Sequence, residues 1–206
     1  MTSYRKAIKA GLNETQAANY DDYVRRKTRL PTRDSERQKT YNAEFAFEAE
    51  FPHVRERMEF KECEKFVKRV LKSKLWSQFV NDDMKMRRLQ KAYRKVSLYE
   101  FKSKSWAGIC YGNMIKLDSH SGTNKYVILH ELAHAAGFNK HDYRFRWALL
   151  KLVSRFLGQA EAKGLKKAFR DHKLRYTRPT VKDPQSWLKS SQRATYMLYG
   201  YNGMEE

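Results

Sequence analysis

The sequence predicts an α+β fold, mostly helical, in which a short three-stranded sheet precedes a helix that carries two histidines. Three observations lead to this prediction. Apolar residues recur at helical spacing through most of the 206 residues. Residues 96–117 instead contain short stretches in which apolar and polar side chains alternate, as in half-buried strands. Residues 130–134 read H-E-x-x-H within an apolar stretch of helical character.

The N-terminal half is predicted to be helical. Helices are expected over residues 3–11 and 14–29, with a break at Gly11, and over residues 33–51, where Pro52 ends the helix. A core-facing helix then has apolar residues at i, i+3, i+4, i+7 and i+8, namely Cys63, Phe66, Val67, Val70 and Leu71. The chain is expected to leave this helix at Trp76, Phe79 and Val80.

The C-terminal half is predicted to contain the sheet and the remaining helices. Strands are expected at residues 96–101, 106–110 and 114–117, the first two paired, in an antiparallel or mixed sheet. Beyond the histidine helix, further helices are predicted at residues 145–156, 165–172 and 185–198, with a linker at 173–185.

The histidine helix carries the candidate chemistry. His130 and His134 are four residues apart, so on a helix their rings share one face and can bind one metal ion. Zinc accepts neutral imidazole as a ligand, and Glu131 is placed to act as general base on a metal-bound water. Ser121 or Thr123 is the expected N-cap. With Gly137 just past its end, the predicted helix is about 14–16 residues long.

A catalytic zinc site needs a third protein ligand and one open position. A metzincin pattern would require histidine at position 140, but Lys140 stands there and an ammonium group is no ligand. A thermolysin-like site would take Glu161 from a later helix. The favoured alternative is His141, seven residues after His134 and just before an apolar helix. Tyr143, two residues after His141, is the candidate for the group that stabilises an oxyanion, and a role in the core or at a helix cap is the alternative.

These motifs resemble known zinc peptidases. The sequence from His130 to His134, followed after a short turn by His141 and Phe145, looks like SprT-like and related small gluzincin-like peptidases. A family of metallohydrolases from actinobacteria and their phages is more similar, and its motifs occur here in the same order at residues 37–44, 63–71, 115–117, 126–134 and 156–158. The chain departs from that family at Asp142, where glycine usually follows the third histidine.

The resemblance covers residues 35–175 and has definite implications. It implies a minigluzincin-like small zincin, Zn²⁺ held by His130, His134 and His141, Glu131 as the catalytic residue, and a phage protein acting in the host cytoplasm. The resemblance implies chemistry, and it identifies no substrate.

Composition excludes several classes of protein. No apolar run approaches the roughly 18 residues of a membrane helix, and none follows the basic start, so neither a membrane span nor a signal peptide is expected. Cys63 and Cys110 are too few for a disulfide framework and are expected to be reduced. These features favour a cytoplasmic protein without a membrane partner.

The chain is strongly basic, with 43 Lys and Arg against 23 Asp and Glu and a net charge of +20. Such an excess favours contact with polyanions, here non-specific nucleic acid. The candidate contact residues come from the densest basic segment: Lys85, Arg87, Arg88, Lys91 and Arg94. A solvated basic surface is the simpler alternative.

The expected organisation is a helical extension at 1–33, a zincin-like metallohydrolase domain at 34–172, and a linker with a C-terminal helix at 173–206. The leading hypothesis is a zinc metallopeptidase that cleaves a protein or peptide, with nucleic-acid-associated proteins as one class of substrate. The alternative is a basic nucleic-acid-binding or virion-associated protein whose zinc site is structural or vestigial.

Overall fold

The computed structural model describes residues 2–28, 33–81, 95–177, 183–188 and 190. Its helices are α1 Ser3–Lys9, α2 Glu14–Thr28, α3 Arg37–Glu50, α4 Phe60–Leu71, α5 Lys74–Asn81, α6 Lys125–Ala135, α7 Tyr143–Phe156 and α8 Gln159–Asp171, with a 3-10 turn at Pro52–Arg55. Its strands are β1 Ser97–Phe101, β2 Gly108–Tyr111 and β3 Met114–Asp118. The predicted α+β class, mostly helical with a three-stranded sheet before the histidine helix, is confirmed.

Two helices differ from the prediction. The sequence pattern does not predict α5, in which Trp76 and Phe79 are buried. Helix α8 begins at Gln159, six residues before the predicted start at 165, so that Gly164 lies inside the helix. A Cβ at Gly164 would lie 2.2 Å from the Phe51 ring, so glycine here allows close packing and does not break the helix.

The sheet is mixed, in the order β1-β3-β2. β2 pairs with β3 antiparallel and β1 pairs with β3 parallel, so the predicted pairing of the first two strands is wrong. The reason is local. Tyr111 and Met114 are partners across a two-residue turn that begins with Gly112 at φ +60°, and such tight hairpins pair neighbouring strands. β1 then takes the other edge of β3.

The chain divides into two compact units, one of Met1–Leu30 with Pro179–Glu206 and one of Pro31–Arg178. The first unit has a small core of Ala7, Leu12, Ala17 and Tyr20, against which Trp187 and Leu188 pack. The Trp187 ring meets the edge of the Tyr20 ring at 5.5 Å. The predicted helix at 185–198 lies largely outside the described residues.

Helix α6 lies at the centre of the second unit, where it packs against α4, α7, the 3-10 turn, β2 and β3. Its N-cap is Asn124, whose side chain accepts the Val127 N–H at 2.9 Å, and the helix is 11 residues long. The predicted caps Ser121 and Thr123 are therefore wrong, as is the longer helix. The Ser121 hydroxyl instead donates to Asp118 at 2.7 Å.

None of the helices in the described ranges has both the length and the apolar character needed to cross a membrane.

Candidate metal centre

Three histidines converge at the C-terminal half of α6. His130 and His134 lie one turn apart on this helix, and His141 comes from the loop that joins α6 to α7. Gly137, at φ +95°, ends α6 and turns the chain back, and Asp142 caps α7 by accepting the Arg144 N–H at 2.8 Å. His141 is therefore held between two fixed helix ends.

The geometry of this three-histidine cluster (His130, His134 and His141) fits one metal ion. One ligand nitrogen from each ring lies within 4.8 Å of the other two, so the cluster can hold a metal ion. The Nε2 atoms of His130 and His141 are 3.4 Å apart. Two nitrogens bound at 2.0–2.1 Å to one tetrahedral metal would be about 3.3–3.4 Å apart, so these two rings are already at ligand spacing.

Each histidine has a partner on its other nitrogen. His130 Nδ1 contacts Glu44 Oε1 at 3.1 Å, and His141 Nδ1 contacts Asp34 Oδ2 at 2.8 Å. His134 Nδ1 donates to the Phe138 carbonyl oxygen at 2.7 Å. The Phe138 carbonyl and Asp34 carboxylate oxygens only accept, so on His134 and His141 the proton belongs on Nδ1 and the Nε2 lone pair is left for a metal. His130 Nδ1 faces Glu44, and its Nε2 is turned towards Nε2 of His141.

Burial keeps the three rings in the neutral form that binds metal. It lowers the pKa of His130 to about 3, with Arg37 adding to the shift, and it lowers the pKa of His134 and His141, with neighbouring histidines adding. The Phe145 ring packs 4.5–4.8 Å from all three imidazole rings and forms the apolar wall of the cluster. His134 is only partly buried, so solvent reaches the cluster on its side.

The backbone of His141 is also fixed from two directions. Arg146, fully buried on α7, donates to the His141 carbonyl and to the Thr40 hydroxyl, and ion-pairs with Glu36 at 2.7 Å. The Thr40 hydroxyl donates to the same His141 carbonyl at 3.2 Å. The chain from Asp34 to α3 therefore forms one side of the three-histidine cluster.

Glu131 lies beside the cluster, beneath the sheet. Its side chain is buried, and burial raises its pKa to about 8, with Glu44 adding to the shift. A Cβ at Gly108 of β2 would lie 2.9 Å from Glu131 Cγ and Oε1, so only glycine leaves room for the carboxylate here. Within the described chain the Glu131 carboxylate has no hydrogen-bond partner, which leaves its oxygens available to a water or substrate.

Other candidate residues lie elsewhere. Glu161, the alternative third ligand, is in the first turn of α8 and contacts His53 Nε2 at 3.0 Å. His120 is exposed in the loop before α6. Tyr143, the sequence candidate for oxyanion stabilisation, has the Arg175 guanidinium over its ring at 4.3 Å. The predicted nucleic-acid contacts lie outside the described residues: Lys85, Arg87, Arg88, Lys91 and Arg94.

Comparison with protein-family models, curated proteins and solved structures finds no match to this chain.

Sequence reasoning predicts the three clustered histidines and Glu131 but misses the groups that hold them. Asp34, Glu44, Thr40 and Arg146 are far from the H-E-x-x-H motif in sequence, and spacing rules do not reach them. One signal was available: residues 37–44 belong to the segment that resembles the first helix of the metallohydrolase family, and that segment contains Thr40, Tyr41 and Glu44.

Proposed function

We propose that the chain is a zinc-dependent hydrolase, specifically a metallopeptidase, with His130, His134 and His141 as metal ligands and Glu131 as general base. The observation that carries the proposal is the 3.4 Å separation of the His130 and His141 Nε2 atoms, which is ligand spacing for one ion. Three neutral imidazoles that leave a fourth position open are the ligand set of catalytic zinc. A structural zinc site has four protein ligands, and it does not require a carboxylate beside the ligands, such as Glu131, to act as a base.

The proposed mechanism assigns one proton route to Glu131. When bound, zinc supplies Lewis-acid activation of a water molecule and of the scissile carbonyl. Glu131 takes the proton of that water and delivers it to the leaving amine.

The position of β2 favours a peptide as the substrate. β2 is an edge strand in the order β1-β3-β2, so its outer backbone groups have no strand partner within the described sheet. An extended peptide can add to such an edge by backbone hydrogen bonds. Gly108 of β2 is in contact with Glu131, so a peptide bound along this edge would run close to the general base.

We also propose that the chain belongs with the metallohydrolases of actinobacteria and their phages that its sequence resembles. The site residues at the resembling positions support this proposal: Tyr41 and Glu44 of the first matching segment both contact the three-histidine cluster.

The test is metal analysis combined with proteolysis. Purified protein is expected to hold about one zinc per chain and to cleave an unstructured protein such as casein. Glu131→Gln should keep the zinc and lose cleavage, whereas His130→Ala should lose both. Full zinc occupancy in His130→Ala, or unchanged cleavage by Glu131→Gln, would refute the proposal.

A basic groove favours nucleic acid as a second ligand. Such a ligand fits a peptidase that cleaves nucleic-acid-bound proteins, and it also fits the alternative function, a nucleic-acid-binding protein. The groove has a volume of about 680 Å³ and is lined by Lys65, Lys68, Arg69, Lys72, Ser73, Arg155 and Phe156. None of its five cationic residues has a carboxylate within ion-pair distance in the described chain. Unpaired cations on two neighbouring helices are suited to a phosphate backbone.

A further inference from the structure

Tyr41 of α3 is an aromatic neighbour of the three-histidine cluster that carries a hydroxyl group. Its ring lies edge-on to the His141 ring at 4.8 Å and 5.9 Å from the His130 ring. The side chain is only partly buried, so it borders both the cluster and solvent. Phe145, which lines the cluster from α7, has no such polar group.

The Tyr41 hydroxyl is held by a cation. Arg37, one turn earlier on α3, donates its Nε–H to the Tyr41 oxygen at 3.3 Å, and its guanidinium lies 5.3 Å from the ring centre. A phenol oxygen that accepts a hydrogen bond from arginine keeps its own proton free to donate elsewhere, and the nearby positive charge makes the phenol a stronger donor. This Arg37–Tyr41 pair is solvent-accessible, so a substrate can reach it.

The contacts of Tyr41 place it on the α3 side of the cluster, because its ring lies beside both His130 and His141. Glu131 lies on the side covered by β2, where Gly108 leaves room for its carboxylate.

We propose that Tyr41 is a catalytic residue whose hydroxyl donates a hydrogen bond to the oxyanion formed from the scissile carbonyl, and that Arg37 is the positioning residue that orients and polarises this hydroxyl. The proposal rests on the proposed hydrolase function. Amide hydrolysis by water produces a tetrahedral oxyanion, and a donor aimed at it from outside the ligand set stabilises the transition state. Tyr41 replaces Tyr143 in this role, since the Tyr143 ring lies under Arg175.

The experiment uses the full chain reconstituted with Co²⁺ and inorganic phosphate as a tetrahedral oxyanion probe. The visible spectrum of Co²⁺ responds only to phosphate bound at the metal, so phosphate on the basic surface does not contribute. Tyr41→Phe removes one hydrogen bond to a charged group, so its phosphate affinity should fall about tenfold or more. Arg37→Gln should cause a smaller loss, and Tyr99→Phe, on exposed β1, should cause none.

The possible outcomes separate this proposal from the proposed function. Absence of Co²⁺ binding in the parent refutes the hydrolase proposal, and the role of Tyr41 falls with it. Normal Co²⁺ affinity in Tyr41→Phe with unchanged phosphate affinity overturns the role of Tyr41 alone. A loss in Tyr143→Phe and not in Tyr41→Phe would return the role to Tyr143. Where casein cleavage is measurable, Tyr41→Phe should lower kcat and leave KM unchanged.

Discussion

Asp34 holds His141 by two hydrogen bonds at once. Its Oδ1 accepts the His141 backbone N–H at 3.0 Å, and its Oδ2 accepts the ring Nδ1–H at 2.8 Å. The two residues are 107 positions apart in the sequence, so the fold brings the start of the second unit onto the loop between α6 and α7. One carboxylate therefore fixes both the position and the rotation of the proposed third ligand.

Replacing Asp34 should weaken metal binding without removing a ligand. In Asp34→Ala the His141 ring loses the acceptor that orients it, and loss of such a partner typically weakens metal affinity about 10–100-fold. Competition with a chromophoric chelator measures the change. Asp171→Ala, at the exposed end of α8, is the matched control and should bind metal like the parent. Equal affinity in both variants would mean that Asp34 does not orient the ligand.

The identity of the third ligand has its own test. His141→Ala should lose zinc, because two imidazoles remain for a site that needs three protein ligands. Glu161→Ala should retain it, since Glu161 contacts His53 on another part of the surface. Zinc content per chain after dialysis against a weak chelator measures both. The reverse result would establish the thermolysin-like arrangement.

Gly108 should tolerate no side chain. The added methyl group of Gly108→Ala would lie 2.9 Å from Glu131 and from Val127, so Glu131 must move or β2 must shift. Overpacking of this kind typically costs about 1–3 kcal/mol. Displacement of Glu131, the proposed general base, should also lower the proposed proteolysis. Thermal melts and casein cleavage measure the two effects. In a Glu131→Ala background, Gly108→Ala should cause a smaller loss of stability, because the clash with Glu131 is gone and only the clash with Val127 remains.

The two halves of the metal site differ in how far the sequence predicts them. His130, Glu131 and His134 follow from helical geometry, since residues four apart must share a face. His141 is favoured over Glu161 by its position, seven residues after His134 and just before an apolar helix, whereas Lys140 excludes only the metzincin pattern. The contacts of Asp34 with His141 and of Glu44 with His130 join positions 107 and 86 residues apart, and only tertiary folding brings them together.

The same limit explains the errors in the fold. A pattern of alternating residues locates strands but does not order them, and the tight turn at Gly112 decided the sheet order in favour of β2 with β3. The N-cap is the residue that directly precedes the helix: Asn124 accepts the Val127 N–H, whereas Ser121, three residues earlier, is engaged with Asp118.

Asp118 should stabilise the loop that leads into α6 in a pH-dependent manner. Hydrogen bonds from the Ser103 backbone and the Ser121 side chain hold its pKa at about 2, below the usual value of 3.8. Because the folded-state pKa is lowered, the stabilisation is fully present above pH 3.8 and is lost as the pH falls through about 2. Asp118→Asn should therefore cost about 2 kcal/mol at pH 7. Urea unfolding at pH 7 and in acid measures the difference, which should shrink at low pH.

The basic charge should give salt-dependent binding to nucleic acid without sequence preference. Each cation that neutralises a phosphate of duplex DNA releases counterions, so the log–log slope of affinity against salt should change by about 0.9 per contact. One four-residue set, changed to glutamine, tests the basic groove: Lys65, Lys68, Arg69 and Lys72. A second set tests the segment outside the described residues: Arg87, Arg88, Lys91 and Arg94. The control set has equal charge on exposed α8: Lys163, Lys166, Lys167 and Arg170.

These three variants lose the same net charge. If only the overall positive charge of the protein attracts nucleic acid, binding should weaken equally in all of them. If the groove contacts phosphates, its variant alone should show a flatter salt slope than the α8 control, with zinc content unchanged. If the second set carries the contacts, that variant should show the flatter slope.

Glu131→Gln should bind nucleic acid like the parent, because the proposed role of this residue is chemical. Equal slopes in all three variants would mean that the charge keeps the surface solvated or serves an acidic protein partner, and the peptidase proposal would then stand without nucleic acid.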